Sequence, residues 1–201
     1  MAITNGYATV AEVTARLGTT VSGVSTFDTE LERVITAVSR TIDLVTARRF
    51  YASTETRYFT ARSARECDVS DLLSVTTLST DDSGNLTWGT TWAATDYVLM
   101  PRNASADGRP YKWLYVSPVG LRSFPTQTDA VKLAGSYGYC ATASPPTGIR
   151  EACVLGSQQV FRRRDATYGV MSSDGFFHQL RHMLLDDPEI MGLLAPYVRH
   201  T

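Results

Sequence analysis

The stretch Ser144-Pro145-Pro146-Thr147-Gly148-Ile149-Arg150-Glu151-Ala152-Cys153, SPPTGIREAC, is where the character of this chain turns over. Upstream, VKLAGSYGYC (131–140) reads as extended; downstream, VLGSQQVFRRRDA (154–166) reads as helix. Two prolines bar helix before this point, and Thr147 is the expected N-cap of the helix beyond it. Ile149, Ala152, Cys153, Gly156 and Val160 then line one face, with small residues that let a second helix approach closely. The junction is either a helix that packs on a β domain or the point where a helical body, interrupted by a β domain, resumes.

The upstream sequence decides between these. Thr9 with Glu12 three positions on makes a capping box, and Gly18 is a left-handed stop after Val10, Val13 and Leu17. Asp28 reads as the N-cap of a longer helix in which Leu31, Val34, Ile35, Val38, Ile42 and Val45 form one apolar stripe. Glu32, Arg33, Thr36, Arg40 and Asp43 occupy its other face, and Arg48 and Arg49 come where cations favour a helix C-terminus. From Phe50 to Cys140 the pattern is TRYFT, LLSVTTLS, NLTW, DYVLM, KWLYV and AVKLAGSYGY, short β-branched and aromatic runs divided by turn residues. Asp81-Asp82-Ser83-Gly84 reads as a hairpin connection. After 150, Phe176, Phe177, Leu180 and Leu184 make a further stripe, and Asp187-Pro188 open a last short helix that Pro196 ends or kinks.

The expected fold is therefore α+β: an antiparallel helical bundle built from both chain ends, residues 1–51 and 135–201, with a small antiparallel β-sandwich or barrel, residues 52–134, inserted between them. Neither flank has enough apolar partners alone, so each needs the other.

Composition narrows the function. With 19 Lys and Arg against 20 Asp and Glu the net charge is −1, which gives no general field for nucleic acid. Three scattered cysteines, Cys67, Cys140 and Cys153, build no disulfide framework and suit a reducing compartment. The N-terminus lacks the pattern of a signal peptide, and no apolar run approaches the length of a membrane span. A soluble product made in the cytoplasm is the expectation.

Chemistry-bearing patterns are weak. His178 and His182 stand at i, i+4 with Asp186 one turn on, a spacing that can present two imidazoles to a metal, but HQLRH lacks the glutamate of the protease zinc motif. A surface role is the plainer reading, and no metal or other cofactor is expected. No nucleophile elbow or phosphate loop occurs. The aspartate pairs 81–82 and 186–187 sit where turns and caps want them. No enzyme is expected. Trp88, Trp92 and Trp113 read as β-domain core before ligand platform. Arg162-Arg163-Arg164-Asp165 is either a solvated helix end or an arginine cluster facing a neighbouring subunit or passing DNA.

Taken in order, YATVAEVTARLG, DTELERVITAVSRTIDLVTARRF, the strand closing GSYGY, PPTGIREACVLGSQQVFRRRDA and the ending IMGLLAPYVR resemble the head-to-tail connector, or adaptor, family of long-tailed bacteriophages and gene transfer agents. The resemblance covers both helical flanks, and the β segment is similar to the insertion of the larger members. It implies a head-completion protein of the virion, assembled in the host cytoplasm. Its partners would be copies of itself in a ring, typically dodecameric, the portal protein, the next stopper or tail protein, and transiently the DNA in the channel, with no membrane. It places Phe176, Phe177, Leu180, Leu184 and Tyr197 near the portal contact. A ring also needs two unlike faces on each protomer. Arg33 and Arg40 of the long helix and Arg162, Arg163, Arg164 and Asp165 of the later one are the expected contributors. A different class, a module whose β domain recognises a ligand or cell surface, is the alternative.

Overall fold

Thr9 starts the first helix as its spacing predicts: its hydroxyl accepts from the Glu12 amide while the Glu12 carboxylate accepts from the Thr9 amide. Gly18, at φ 68°, stops the helix with a left-handed residue that costs glycine nothing. The computed structural model describes residues 3, 5–18, 25–140, 145–163 and 186–199, with 25, 26 and 163 for the backbone only. Arg164, Asp165, Phe176, Phe177, His178, Leu180, His182 and Leu184 lie outside the described residues. The chain divides into two units, Met1–Phe50 with Ser144–Thr201, and Tyr51–Ala143.

The first unit is helical: α1 (Val10–Leu17), α2 (Ser25–Thr46), α3 (Thr147–Arg163), α4 (Pro188–Leu194) and a closing 3-10 turn (Ala195–Tyr197). The stripe of α2 does what its period demands, burying Leu31, Ile35, Val38 and Ile42. Ser39, Thr41 and Thr46 are buried as well, and each hydroxyl donates to the carbonyl four residues back, so none is left unsatisfied. Asp28 lies in the first turn of α2 rather than capping it. Thr147 is likewise the first residue of α3, because the Pro146 carbonyl already accepts from the Arg150 amide and so takes the cap position. Helix α3 packs against α1, α2 and α4. It therefore buries Ile149 and the whole run from Ala152 to Ser157, not one stripe. Asp187 and Pro188 open α4 as cap and first residue.

The second unit is one antiparallel sheet: β1 (Ser53–Phe59), β2 (Glu66–Thr80), β3 (Thr90–Thr91), β4 (Tyr97–Met100), β5 (Tyr111–Val116) and β6 (Val131–Tyr137). Its order is β1-β6-β2-β5-β4, with β3 on the end of β2. Strand β2 organises it. Over 15 residues it pairs with β5 in its first part and β6 in its second, changing register between Asp68 and Leu72. Ser70 and Asp71 take φ of 37° and 52° there, an irregularity that lets one strand serve two neighbours. Cys67 and Val69 before the break, and Leu72 and Leu78 after it, join Leu114, Val131, Leu133 and Tyr137 in a single core.

These findings correct the expected architecture. The protein is a mixed α and β chain with an open six-stranded antiparallel sheet and four described helices, not an antiparallel helical bundle with an inserted sandwich or barrel. Six separate strand-like runs suggest two layers only while β2 is taken to start at Leu72; its first part, with the polar Ser70-Asp71 break, has the pattern of a connection. NLTW (85–88) is loop: Asp81 accepts from the amides of Ser83, Gly84 and Leu86 and folds the segment between β2 and β3. On the helical side, α1 and α4 have 8 and 7 residues against 22 in α2. That is about 12 Å and 10 Å against about 33 Å, too short to run alongside it as bundle partners.

Candidate functional site

Two features of the described residues stand out, a buried polar network and a set of exposed apolar groups. In the helical unit the network centres on Tyr7. Its hydroxyl donates to Oδ1 of Asp43 and accepts from the Phe50 amide at 2.9 Å, while its own amide donates to the Ser39 hydroxyl at 3.0 Å. Arg40 completes the site, pairing with Asp43 at 3.1 Å, donating to the Asn5 carbonyl at 2.7 Å and lying over the Tyr7 ring. Burial pushes Asp43 up to about 6 against the pull of Tyr7, Arg40 and Arg49. Burial and the Asp43 hydrogen bond hold the Tyr7 hydroxyl protonated well above the usual tyrosine range. The network fastens the residues before α1 to the middle and the end of α2.

Two crossed ion pairs join α1 to α3, Arg16 with Glu151 and Glu12 with Arg150, all half exposed. Each contributes little alone, about 0.2–1 kcal/mol, but together they fix how the two helices align. Gln159 of α3 donates to the Asp187 carboxylate at the start of α4.

The expected interface residues fall in different places. Arg33 on α2 and Arg162 near the end of α3 are exposed. Arg40 is committed to Asp43 and Asn5 inside the protomer. Tyr197 stands edge-on to Phe50 at 5.8 Å between ring centroids and close to Gly148, where a side chain would meet its ring. Leu44, 74% exposed on α2, is an apolar residue on a face that the charge pattern marks as polar.

The sheet unit carries its own exposed groups. Trp92 is core, stacked on Phe124 with centroids 4.5 Å apart. Trp113 on β5 is half-buried, with Lys112 near its ring. Trp88 lies half-buried beside Tyr58, its indole N–H donating to the Asp129 carbonyl and Lys132 over its ring. Leu86 is 62% exposed two residues earlier. In the β5–β6 connection, Val119 and Leu121 are 92% and 104% exposed. Their turn is held at its base by the Ser117 amide on the Asp96 carbonyl, the Gly120 amide on the Ser117 carbonyl and Arg122 near Asp96. No sequence signal marks these two, because isolated aliphatics beside Pro118 and Gly120 look like any loop.

Among the described residues no cluster of three or more His, Cys, Asp or Glu could hold a metal ion. Burial raises the Cys67 thiol to about 12 and the Cys140 and Cys153 thiols to about 11, so these sulfurs stay protonated and are poor nucleophiles. No helix of the described residues is long and apolar enough to cross a membrane.

Fold and surface together define a two-unit α and β protein with exposed apolar and arginine groups. No family model matches the chain, and no curated protein matches it significantly. Among solved structures, it is similar in fold to a chain in the neck of an empty gene transfer agent particle computed with C6 symmetry. The TM-score is 0.61 at 19% identity, over 100% of this chain and 94% of that one. A chain in the virion of a native gene transfer agent particle matches with the same TM-score, identity and coverage.

Proposed function

We propose that this chain is a non-enzymatic structural protein of a phage-type virion: a head-to-tail adaptor that forms a ring beneath the portal, extends the DNA channel and docks the next head-completion or tail protein. The observation that carries this is the whole-length likeness in fold to a chain of a gene transfer agent neck. Both units take part in that likeness, since it spans the entire chain.

The physical features are consistent with the role. A closed ring of identical subunits uses a heterologous interface, so each protomer presents two unlike surfaces. Exposed Arg33 and Arg162, on different helices, are available to acidic groups of a neighbour. A net charge of −1 leaves passing DNA free of a strong phosphate trap. The portal contact is assigned to the C-terminal segment that carries Phe176, Phe177, Leu180, Leu184 and Tyr197.

Native mass measurement of the chain mixed with a purified portal oligomer tests the proposal. A discrete complex in which many copies of the chain join one portal is expected. A portal that never gains mass from the chain counts against it.

A further inference from the structure

The Val119–Leu121 turn and the Tyr58–Trp88 surface have complementary chemistry. The turn projects two aliphatic side chains, and it is ordered by contacts at both ends rather than loosely exposed. The Val116 amide donates to the Arg65 carbonyl and the Phe124 amide to the Ala64 carbonyl, so the backbone of Arg65 runs beside the base of the turn. Arg65 itself is exposed and brings a cation to that base. Arg122, on the same turn, is already balanced by Asp96 at 3.6 Å.

The second surface is aromatic. Tyr58 is 46% exposed and lies 4.7 Å from Trp88, centroid to centroid. The indole is held by the Asp129 carbonyl, and Asp129 is held in turn by its amide on the Thr60 hydroxyl, so the surface is as fixed as the turn. The Asp129 side chain is exposed at its border. Lys132 is the cation nearby, and its ammonium lies over the indole at 5.5 Å.

We infer that the Val119–Leu121 turn of one copy seats on the Tyr58–Leu86–Trp88 surface of a second copy, with Arg65 of the first facing Asp129 of the second. The occupant is a second copy because both halves of the match, apolar against aromatic and cation against carboxylate, are on one chain. The two surfaces share no residue, so one head-to-tail contact leaves the turn of one copy and the aromatic surface of the other free for further copies, until a closed ring engages both surfaces of every copy. This rests on the reading of the chain as a self-assembling protein and adds the sheet unit to the contact.

The experiment is sedimentation velocity of the full chain, alone across a concentration series and with portal oligomer, using variants at exposed positions, of which Asp129 has a φ of 55° and so needs the fold of its variants checked most closely. V119S/L121S, which removes the apolar contact, and R65E and D129R, which bring like charges together, are each expected to weaken self-association by about tenfold or more. R65E/D129R in one chain restores it, because the pair is re-formed with its signs exchanged. An equal mixture of R65E and D129R chains also restores it, with the two variants alternating. Each contact between unlike chains then joins opposite charges, the native pair in one direction and the exchanged pair in the other. Circular dichroism of each variant, matching wild type, excludes misfolding as the cause. Oligomers of wild type and all variants that are equally stable overturn this contact and leave the ring reading standing. A wild-type chain that stays monomeric throughout, with portal as well as without, overturns the ring reading and this contact with it. A double variant no better than the singles also overturns the pairing of Arg65 with Asp129.

Discussion

The Tyr7 hydroxyl donates to the Asp43 carboxylate across 36 positions of sequence, and the Phe50 amide donates to that same hydroxyl. One phenol thus ties the segment before α1 to the body of α2 and to the segment after its end. Tyr7→Phe takes a donor from the half-buried Asp43 carboxylate, which keeps Arg40, and takes the hydroxyl acceptor from the buried Phe50 amide. A loss of about 1–3 kcal/mol is expected, the cost of depriving one buried polar group of its hydrogen bond. Urea denaturation followed by circular dichroism measures it, and a loss below about half a kcal/mol, the range of an ordinary surface change, denies the network its structural role.

Asp43 gives this network a pH dependence of unusual sign. Its folded value, about 6, lies above the ordinary 3.8, so between these values the folded state binds more protons than the unfolded one. Stability from this group is therefore fullest below about pH 4 and falls as pH rises towards 6. Two other carboxyls act in the opposite direction: against its desolvation, Asp81 is held low by backbone amides, and Asp187 is held low by Gln159 and by backbone amides. The comparison that isolates Asp43 is wild type against Asp43→Asn. The stability difference between them is expected to shift in favour of the variant as pH rises from about 4 to about 7, and a difference constant over that range contradicts the assignment.

Gly138 is a position where geometry admits little else. Its φ is 148°, and a Cβ there would meet the Tyr51 carbonyl oxygen. Gly138→Ala is expected to destabilise the sheet unit by about 1–3 kcal/mol, the usual cost of forcing a side chain into such a conformation. Thermal unfolding checks it, and an unchanged midpoint contradicts it.

The core of the sheet unit predicts a larger effect. Leu133 on β6 is fully buried among Leu72, Leu78 and Tyr137. Leu133→Ala removes its side chain and leaves a cavity, at a cost of about 2–5 kcal/mol. The same measurement on exposed Leu44→Ala is expected to change stability by no more than about half a kcal/mol.

What the sequence makes legible is local. The Thr9 box, the Gly18 stop and the Asp187-Pro188 start each depend on side chains within a few residues of the backbone they serve, so spacing alone reveals them. The α2 stripe is legible because one helix face has one environment. Helix α3 is less so, because it is buried on several sides and its period blurs. The extent of β2 is hidden by Ser70 and Asp71, polar residues at positive φ that look like a turn when read alone. The Tyr7–Asp43 contact is invisible for a different reason: its partners are joined only by tertiary packing. Arg40 illustrates the converse, a charge placed on an outer face by periodicity that folding commits to an inner carboxylate.

Whether copies of this chain form a ring on a portal is decided by electron microscopy of the purified chain incubated with portal oligomer. End-on views are expected to show an added annulus around an open centre, coaxial with the portal, and side views an extra layer of density. Portal particles indistinguishable from portal alone, with the chain present only as isolated protomers, would contradict the ring.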